Sequence, residues 1–226
     1  MSAAEVTPDA TAATAAIARL VGVMARLRTG CPWDAEQTHQ SLVQYLIEET
    51  AEAVEAIEAQ DDALMREELG DLLFEVVFHA HLGAERGAFD LADLATGVAD
   101  KLIARHPYVF ADAAVPDDPM ESWERKKKRE KRRASAVDGI PNQLSALARA
   151  NKAVTRARYH AVPVTLDDRP ITFDEAGDAI VALVARANAA GLDPDQATRA
   201  AVRRLEAAVR SAESRAAESS GATPEG

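Results

Sequence analysis

Apolar residues recur every three or four positions along most of the chain, and this spacing is typical of amphipathic helices. In the first such segment an apolar stripe runs through Ile17, Leu20, Val21, Met24 and Leu27. No two neighbouring segments alternate apolar and polar residues in the manner of paired strands. The pattern therefore predicts an all-α fold.

The starts of several helices are predicted from side chains that can cap them. Thr38 is a candidate N-cap for the second helix, Asp61 or Asp62 for the third and Asp90 for the fourth. With these starts, we expect helices at about residues 11–28, 39–59, 62–85, 91–105, 120–133, 144–158, 174–189 and 194–218.

Two connections and the C-terminus are expected to lack helical structure. Residues 29–37 contain Gly30 and Pro32, and residues 106–119 contain three prolines, so both segments should interrupt the helices. The C-terminal stretch "SSGATPEG", residues 219–226, is expected to be disordered.

The composition limits the class of protein. Aromatic residues make up only 4% of the chain while alanine is abundant, which favours helices over a β-sandwich. The net charge of −11 argues against a nucleic-acid partner. Cys31 is the only cysteine, which excludes an internal disulfide framework and suits a reducing cytosol. The N-terminus shows no signal-peptide pattern, and no run approaches the roughly 20 apolar residues that span a bilayer. We therefore expect a soluble cytoplasmic protein without a membrane partner.

The second half of the chain contains a faint copy of the first. The segment "ELGDLLFEVV" from Glu68 resembles "EAGDAIVALV" from Glu175, so Glu68 and Asp71 line up with Glu175 and Asp178. The glutamate-rich helix that precedes Glu68 has no second copy, because "HAVPVTLDDRPITF" stands in its place. We expect the second copy to be shortened, degenerate and structural.

The third predicted helix has two apolar sides separated by a polar strip. Residues placed about 100° apart around the helix put Leu69, Leu73, Val76, Val77 and Ala80 on one apolar side and Phe74 and Phe78 on the other. Between them lie Glu68, Asp71, Glu75 and His79. A helix that is apolar on both sides should be largely buried, and buried carboxylates need protons or cations.

Two pairs of carboxylates have the spacing of neighbours on one helical face. Glu49 and Glu52 are three residues apart, as are Glu68 and Asp71, and two adjacent antiparallel helices would bring the pairs together. Oxygen ligands without cysteine suit Mg²⁺ or Mn²⁺ rather than zinc, and Mg²⁺ commonly takes substrate phosphates as further ligands. The pattern predicts a metal site for a polyphosphate; a solvated acidic face is the alternative.

These residues also resemble a known family. "EETAE", residues 48–52, is followed after fifteen residues by "ELGD" from Glu68, and this pattern resembles the MazG nucleoside triphosphate pyrophosphohydrolases, which belong to the all-α nucleotide pyrophosphatases. "GCPWDAEQTH", "DKLIARHPYVFAD" and "SWERKKK" occur in the same order as in MazG proteins, over roughly residues 15–130. "IPNQLSALARANKAV" is similar to the linker that leads to a second MazG domain.

The resemblance implies an activity and a ligand set. It implies hydrolysis of nucleoside triphosphates between the α- and β-phosphates, giving a monophosphate and pyrophosphate. By the motif, Glu49, Glu52, Glu68 and Asp71 would bind Mg²⁺, with Mn²⁺ as a possible substitute. Glu48 or Glu49 would activate or orient the attacking water. The expected role is the removal of non-standard or excess nucleotides.

The resemblance also implies contacts to the substrate. Lys101, Arg105, Trp123 and Lys127 match positions that contact the phosphates in the family. Without the resemblance, Lys101 and Arg105 would be read as charges that complement the C-terminal end of a helix dipole. Trp33 is a candidate for stacking on the base, with a core position as the alternative.

The basic run from Arg125 to Arg133 contains eight basic residues among nine. It admits three interpretations: a lid over the triphosphate, a nucleic-acid patch, and a solvated linker helix, which we favour for the run as a whole.

We expect a helical-bundle, MazG-like catalytic domain at residues 1–115. A charged helix and linker at 116–160 contribute Trp123 and Lys127, and a degenerate second MazG-like region occupies 161–226. The exposed apolar faces of the catalytic unit, including Phe74 and Phe78, favour a homodimer or a larger homo-oligomer. Two other functions stay open: a narrow-substrate relative of the dUTPase or phosphoribosyl-ATP pyrophosphohydrolase type, and a non-catalytic nucleotide-binding or interaction protein.

Overall fold

A computed structural model describes residues 10–221, and every regular element among them is a helix, so the predicted all-α class is confirmed. The helices are α1 (Ala10–Gly30), α2 (Pro32–Glu36), α3 (Val43–Ala59), α4 (Asp62–Glu85), α5 (Leu91–Arg105), α6 (Pro107–Phe110), α7 (Pro119–Glu130), α8 (Ala146–Tyr159), α9 (Phe173–Ala189) and α10 (Pro194–Gly221). The chain divides into two compact units, Met1–Leu102 and Ile103–Gly226, so the division falls within α5. Below they are called unit 1 and unit 2.

The predicted helix starts are correct where an aspartate caps the helix and wrong for Thr38. The Asp61 carboxylate accepts hydrogen bonds from the amides of Ala63 and Leu64 and so caps α4. Thr38 instead exchanges hydrogen bonds with Ser41 in a turn, and α3 begins only at Val43. A capping side chain needs the right backbone geometry, which the residue type alone does not provide.

The two connections that were expected to be irregular each contain a short helix. Pro32 begins α2 and Pro107 begins α6, since proline lacks an amide hydrogen that the first helical turn would leave unpaired. In the C-terminal stretch 219–226, the backbone of α10 continues to Gly221, so the disorder predicted for residues 219–221 is wrong. Residues 222–226 lie outside the described part of the chain.

Unit 1 is built around the antiparallel pair α3 and α4, whose turn places Gln60 in the left-handed region at φ 55°. Its core consists of Met24 from α1, Leu42 before α3, and Val77, Phe78 and Leu82 from α4. Phe78 is completely buried. This small cluster holds α4 in place, and the polar strip of α4 lies along the same helix.

Helix α1 covers one side of this pair. Leu20 and Leu27 pack against the unit 1 core, and the Arg28 guanidinium forms an ion pair with Glu85 at 2.7 Å. By length and mean hydropathy alone, α1 is the one described helix that could cross a membrane, although no such run was expected from the sequence. Its contacts with the core are those of a helix packed against protein.

The apolar sides of α4 differ from the prediction in which of them is covered. Phe74 and Phe78 were expected to form an exposed face for another subunit, but Phe78 lies in the core and Phe74 packs against it. The exposed apolar residues are Leu69, Leu73 and Val76, which are 38–48% accessible. The side that begins at Leu69 is thus divided, because its other two members, Val77 and Ala80, are buried at 2% exposure.

Unit 2 has its own core, in which α8 and α10 pack together. The core residues are Ala136, Val137, Ile140, Ala153, Ala157 and Val209. The Arg149 guanidinium of α8 donates two hydrogen bonds, of 2.8 and 2.9 Å, to the carboxylate of Glu206 on α10. These contacts give the second half a packed structure, although its acidic residues were expected to serve no site.

Candidate metal centre

The polar strip of α4 faces the glutamates of α3. Because α3 and α4 are antiparallel and joined by a short turn, Glu49 lies near Asp71, and Glu52 lies near Glu68. The three-residue spacing within each pair keeps both side chains on one face of their helix. The helical hairpin thus converts two sequence motifs into one cluster of acids.

Three of the predicted ligands converge. Glu49, Glu68 and Asp71 each offer a carboxylate oxygen, and these oxygens lie within 4.8 Å of one another. Glu68 is only 9% exposed, Glu49 is half-buried, and Asp71 is open to solvent. The cluster is therefore buried at Glu68 and accessible to solvent at Asp71, as a site for a charged substrate requires.

Glu52 and Glu48 border this cluster. Both side chains are exposed and neither belongs to the group of three converging oxygens. Their charges nevertheless affect the cluster. The charge of Glu52 raises the pKa of Glu49 and Glu68, and the charge of Glu48 raises the pKa of Glu49. Glu52 stays a predicted fourth ligand.

The electrostatics of the cluster disfavour its own ionised state. Burial, followed by the charges of Asp71, Glu52 and Glu48, raises the pKa of Glu49. Burial and the neighbouring carboxylates, Glu52 foremost, likewise raise the pKa of Glu68. A cation would remove this repulsion, and hard carboxylate oxygens are the donors that Mg²⁺ and Mn²⁺ prefer. The donor set therefore fits the expected metal.

Glu75 is a buried carboxylate that was not among the predicted ligands. It follows Asp71 by one turn on the same face of α4 and is 4% exposed. Its place in the polar strip between two apolar sides was the signal in the sequence. One turn further, the Nδ1 atoms of His79 and His39 lie 2.8 Å apart with their rings stacked.

Trp33 and Lys101, the other two predicted site residues of unit 1, lie on different helices. Trp33 on α2 is exposed and makes an edge contact with Tyr45, with ring centroids 5.6 Å apart, so it is not a core residue. Lys101 lies on α5 and is also exposed. Both side chains are thus accessible to a ligand.

In unit 2, Arg105 and Trp123 contact each other. The Arg105 guanidinium carbon lies 4.6 Å from the centroid of the Trp123 ring, and its Nε donates a hydrogen bond of 3.0 Å to Glu130. Arg105 is only 3% exposed. Arg105 was expected to contact phosphate, but in this structure its guanidinium binds the carboxylate of Glu130.

Lys127 lies in a cluster of charges between α7 and α8. Its ammonium lies 3.5 Å from Glu124, and Lys152 and Arg156 are close enough to act on it. Burial lowers the pKa of Lys127, and the charges of Lys152 and Arg156 lower it further. This cluster is rich in cations, which is compatible with a phosphate contact.

The first part of the basic run contacts other residues of unit 2, whereas Arg129, Lys131 and Arg132 are exposed. Lys128 binds Glu213 at 2.9 Å, Lys126 donates to the carbonyl of Arg105, and Arg125 pairs with Glu121. These contacts make part of the run a structural element that links α7 to its neighbours. They differ from the solvated linker that the sequence favoured.

In the second half, Glu175 has a structural role. Its carboxylate accepts a hydrogen bond of 2.9 Å from the Thr172 amide, while the Thr172 hydroxyl accepts one from the Glu175 amide. This capping box begins α9. Asp178 is exposed.

Comparison with known proteins identifies the family. Residues 37–110 match the MazG nucleotide pyrophosphohydrolase domain. The chain is 36% identical over 208 residues to the nucleoside triphosphate pyrophosphohydrolase/pyrophosphatase MazG of Thermotoga maritima, covering 82% of this chain and 81% of that protein. It is 45% identical over 148 residues to the nucleoside triphosphate pyrophosphohydrolase of Escherichia coli K12, covering 62% of this chain and 56% of that protein.

A crystal structure of a mazG-related protein from Thermotoga maritima aligns with 49% of this chain and 98% of its own, at 27% identity and a TM-score of 0.43. The match to the domain model lies over α3, α4 and α5, which include the converging carboxylates. The similarity to the nucleoside triphosphate pyrophosphohydrolase/pyrophosphatase MazG of Thermotoga maritima extends over most of both sequences. The chain therefore belongs to the MazG family of nucleotide pyrophosphohydrolases.

Proposed function

We propose that this protein hydrolyses nucleoside triphosphates to nucleoside monophosphates and pyrophosphate, using Mg²⁺ held by Glu49, Glu68 and Asp71. The observation that carries the proposal is the convergence of three carboxylates on the α3–α4 hairpin of a MazG chain. The names of its relatives support the same class of reaction. Such a reaction in the cytoplasm would clear non-standard or excess nucleotides.

The reaction adds water to the α-phosphorus and breaks the bond to the oxygen that bridges the α- and β-phosphates. The oxygen leaves with pyrophosphate, and the water supplies the hydroxyl of the monophosphate. Bound Mg²⁺ would polarise phosphate oxygens and offset the negative charge that builds up during transfer. Glu48 or Glu49 would take the proton of the water. Glu48 lies on the exposed border of the cluster, and Glu49 lies within it.

Substrate contacts are proposed for both units. Lys101 in unit 1, and Arg105, Trp123 and Lys127 in unit 2, are assigned to the phosphates by their match to the family motif. Arg105 would first have to leave Glu130, because their ion pair occupies its guanidinium in this structure. Trp33 is assigned to the base, and its exposure supports that assignment.

The test is a product assay with purified protein, Mg²⁺ and a panel of ribo- and deoxyribonucleoside triphosphates. Glu49→Gln removes one charge from the cluster with little change in shape, and Glu58→Gln on the same helix is the matched control, since Glu58 is exposed. We expect monophosphate and pyrophosphate from the parent and from Glu58→Gln, and a rate at least about 100-fold lower from Glu49→Gln.

The products separate the alternatives. Diphosphate and phosphate in place of monophosphate and pyrophosphate would contradict the proposed bond cleavage. Turnover of dUTP or phosphoribosyl-ATP alone would indicate a narrow-substrate enzyme. No turnover of any compound, by a protein that binds Mg²⁺, would indicate a binding protein.

We also propose that the protein is a homodimer that pairs through unit 1. Leu69, Leu73 and Val76 form an exposed apolar strip on α4, and Val54 and Ile57 on α3 are also exposed. Contiguous exposed apolar residues on a helical hairpin commonly mark an interface. Pairing two such hairpins would bury these residues in a bundle of helices.

A further inference from the structure

Glu75 is the most deeply buried acid of α4. It is 4% exposed, and its Oε2 atom is inaccessible to solvent and has no hydrogen-bond partner among the described residues. No ion pair with Lys, Arg or His is formed by Glu75 in that part of the chain. A buried carboxylate oxygen without a partner destabilises a fold by several kcal/mol unless it is protonated or bound by a cation.

The position of Glu75 relates it to the converging carboxylates. It lies four residues after Asp71 and seven after Glu68, so all three project from one face of α4. Glu49 of α3 is near enough for its charge to act on Glu75. Burial is the main cause of the raised pKa of Glu75, and the Glu49 charge is the second.

The neighbours of Glu75 offer it no cation. Phe74 and Phe78 lie in the apolar core beside it, and the next polar side chain along the strip is His79. The Nε2 atom of His79 is also buried without a hydrogen-bond partner. Burial and the neighbouring His39 lower the pKa of His79, which favours a neutral ring that cannot neutralise a carboxylate.

We propose that Glu75, one turn beyond Asp71 on α4, is a further carboxylate of the divalent-cation centre, whose buried oxygen binds the cation or a water attached to it. The inference rests on the proposed function, because it assumes that Glu49, Glu68 and Asp71 hold the metal. It would explain why an acid occupies a position at which an apolar or amide side chain would give a more stable metal-free protein.

The experiment measures Mn²⁺ binding by isothermal titration calorimetry and the melting temperature with and without Mn²⁺. It compares the parent, Glu75→Gln and the control Glu58→Gln. Glutamine keeps the shape and removes the charge, so folding is retained. We expect Glu75→Gln to raise the melting temperature of the metal-free protein and to weaken Mn²⁺ binding about 10- to 100-fold, as removal of supporting ligands does in other metal sites.

A merely structural role for Glu75 predicts a different result. In that case the variant would change the melting temperature but would bind Mn²⁺ as tightly as the parent, and the proposal would be overturned. A parent that binds Mn²⁺ through Glu75 but hydrolyses no triphosphate would overturn the proposed function alone. If the parent binds no Mn²⁺, both proposals fail.

Discussion

At the residue scale, the carboxylate cluster makes the proposed metal binding dependent on pH. The pKa values of Glu49 and Glu68 are raised by burial and by neighbouring acids, and a cation binds only their ionised forms. We therefore expect Mn²⁺ affinity to fall as the pH is lowered, beginning at a pH above the ordinary glutamate pKa. Titration calorimetry in two buffers of different ionisation enthalpy will show proton release on binding.

Glu49 and Glu68 give the stability of the metal-free protein the opposite pH dependence to that of metal affinity. Since their folded-state pKa values are raised, their contribution to stability is fully present below the unfolded-state pKa and is lost as the pH rises through the folded-state values. A Glu49→Gln variant should remove part of that loss. An Mn²⁺ affinity that is constant across the pH range would contradict the predicted dependence of metal binding on pH.

Phe78 tests the core that holds α4 in place. It is fully buried in unit 1, so Phe78→Ala should lower the free energy of unfolding of unit 1 by about 3–5 kcal/mol. Each unit contains one of the two tryptophans, Trp33 or Trp123, so Trp33 fluorescence in a Trp123→Phe background reports on unit 1 during urea denaturation.

Phe173 in unit 2 provides the exposed counterpart of this substitution, and its effect is measured through Trp123 fluorescence in a Trp33→Phe background. It is 94% exposed at the start of α9, and its replacement by alanine should change stability by less than about 0.5 kcal/mol. An equal effect of the two substitutions would show that the unit 1 core is not organised around Phe78.

Single residues also show where sequence reasoning reaches its limit. The spacing of Glu49, Glu68 and Asp71 predicted that their carboxylates would converge, since two helical periods and one turn determine it. The polar strip also indicated that Glu75 would be buried, whereas the Arg105–Glu130 ion pair joins residues 25 positions apart, and no local pattern could predict it.

At the element scale, the aspartate cap of α4 contributes to the placement of its polar strip. Asp61 accepts from two amides at the start of the helix, so Asp61→Ala should destabilise unit 1 by about 1 kcal/mol. Asp62→Ala, one position into the helix, removes an acid from the first turn without removing the cap and should cost less. Urea denaturation followed through Trp33 measures both, and a larger effect at Asp62 would contradict the assignment.

Helix positions were predictable to within a few residues wherever apolar periodicity was long. The start of α5 at Leu91 and the α10 start at Pro194 agree with the prediction. The failures are short or irregular elements: α2 and α6 have too few residues to show a period, and the turn around Thr38 is stabilised by Ser41. Such elements depend on local hydrogen bonds that several sequences can form.

At the scale of the whole molecule, the exposed strip on α4 predicts the oligomeric state. We expect the parent to sediment as a dimer and Val76→Lys to sediment as a monomer, because a charge in the paired face would lose its hydration. Leu183→Lys on α9 is the matched control, since Leu183 is the counterpart of Val76 in the second copy and is also exposed. A parent that is monomeric at all concentrations would contradict the prediction.

The division of the chain after Leu102 was not visible in the sequence, and the domain bounds predicted at residues 115 and 160 stay predictions. Periodicity and the faint repeat indicated two helical regions, but the boundary at Leu102 lies inside a continuous helix, where no glycine or proline marks it. The sequence showed that the second copy lacks the double-glutamate helix. It did not show that unit 2 would form a core of its own.

The capping box at the start of α9 has a consequence for the history and the engineering of this protein. Glu175, which corresponds to the proposed metal ligand Glu68 of the first half, stabilises the first turn of α9 through Thr172. Restoring a glutamate-rich helix before it would therefore not restore a second centre, because Glu175 would have to give up its present hydrogen bonds. A functional second copy would need a new helix start as well, and each change made alone would reduce stability before any activity was gained.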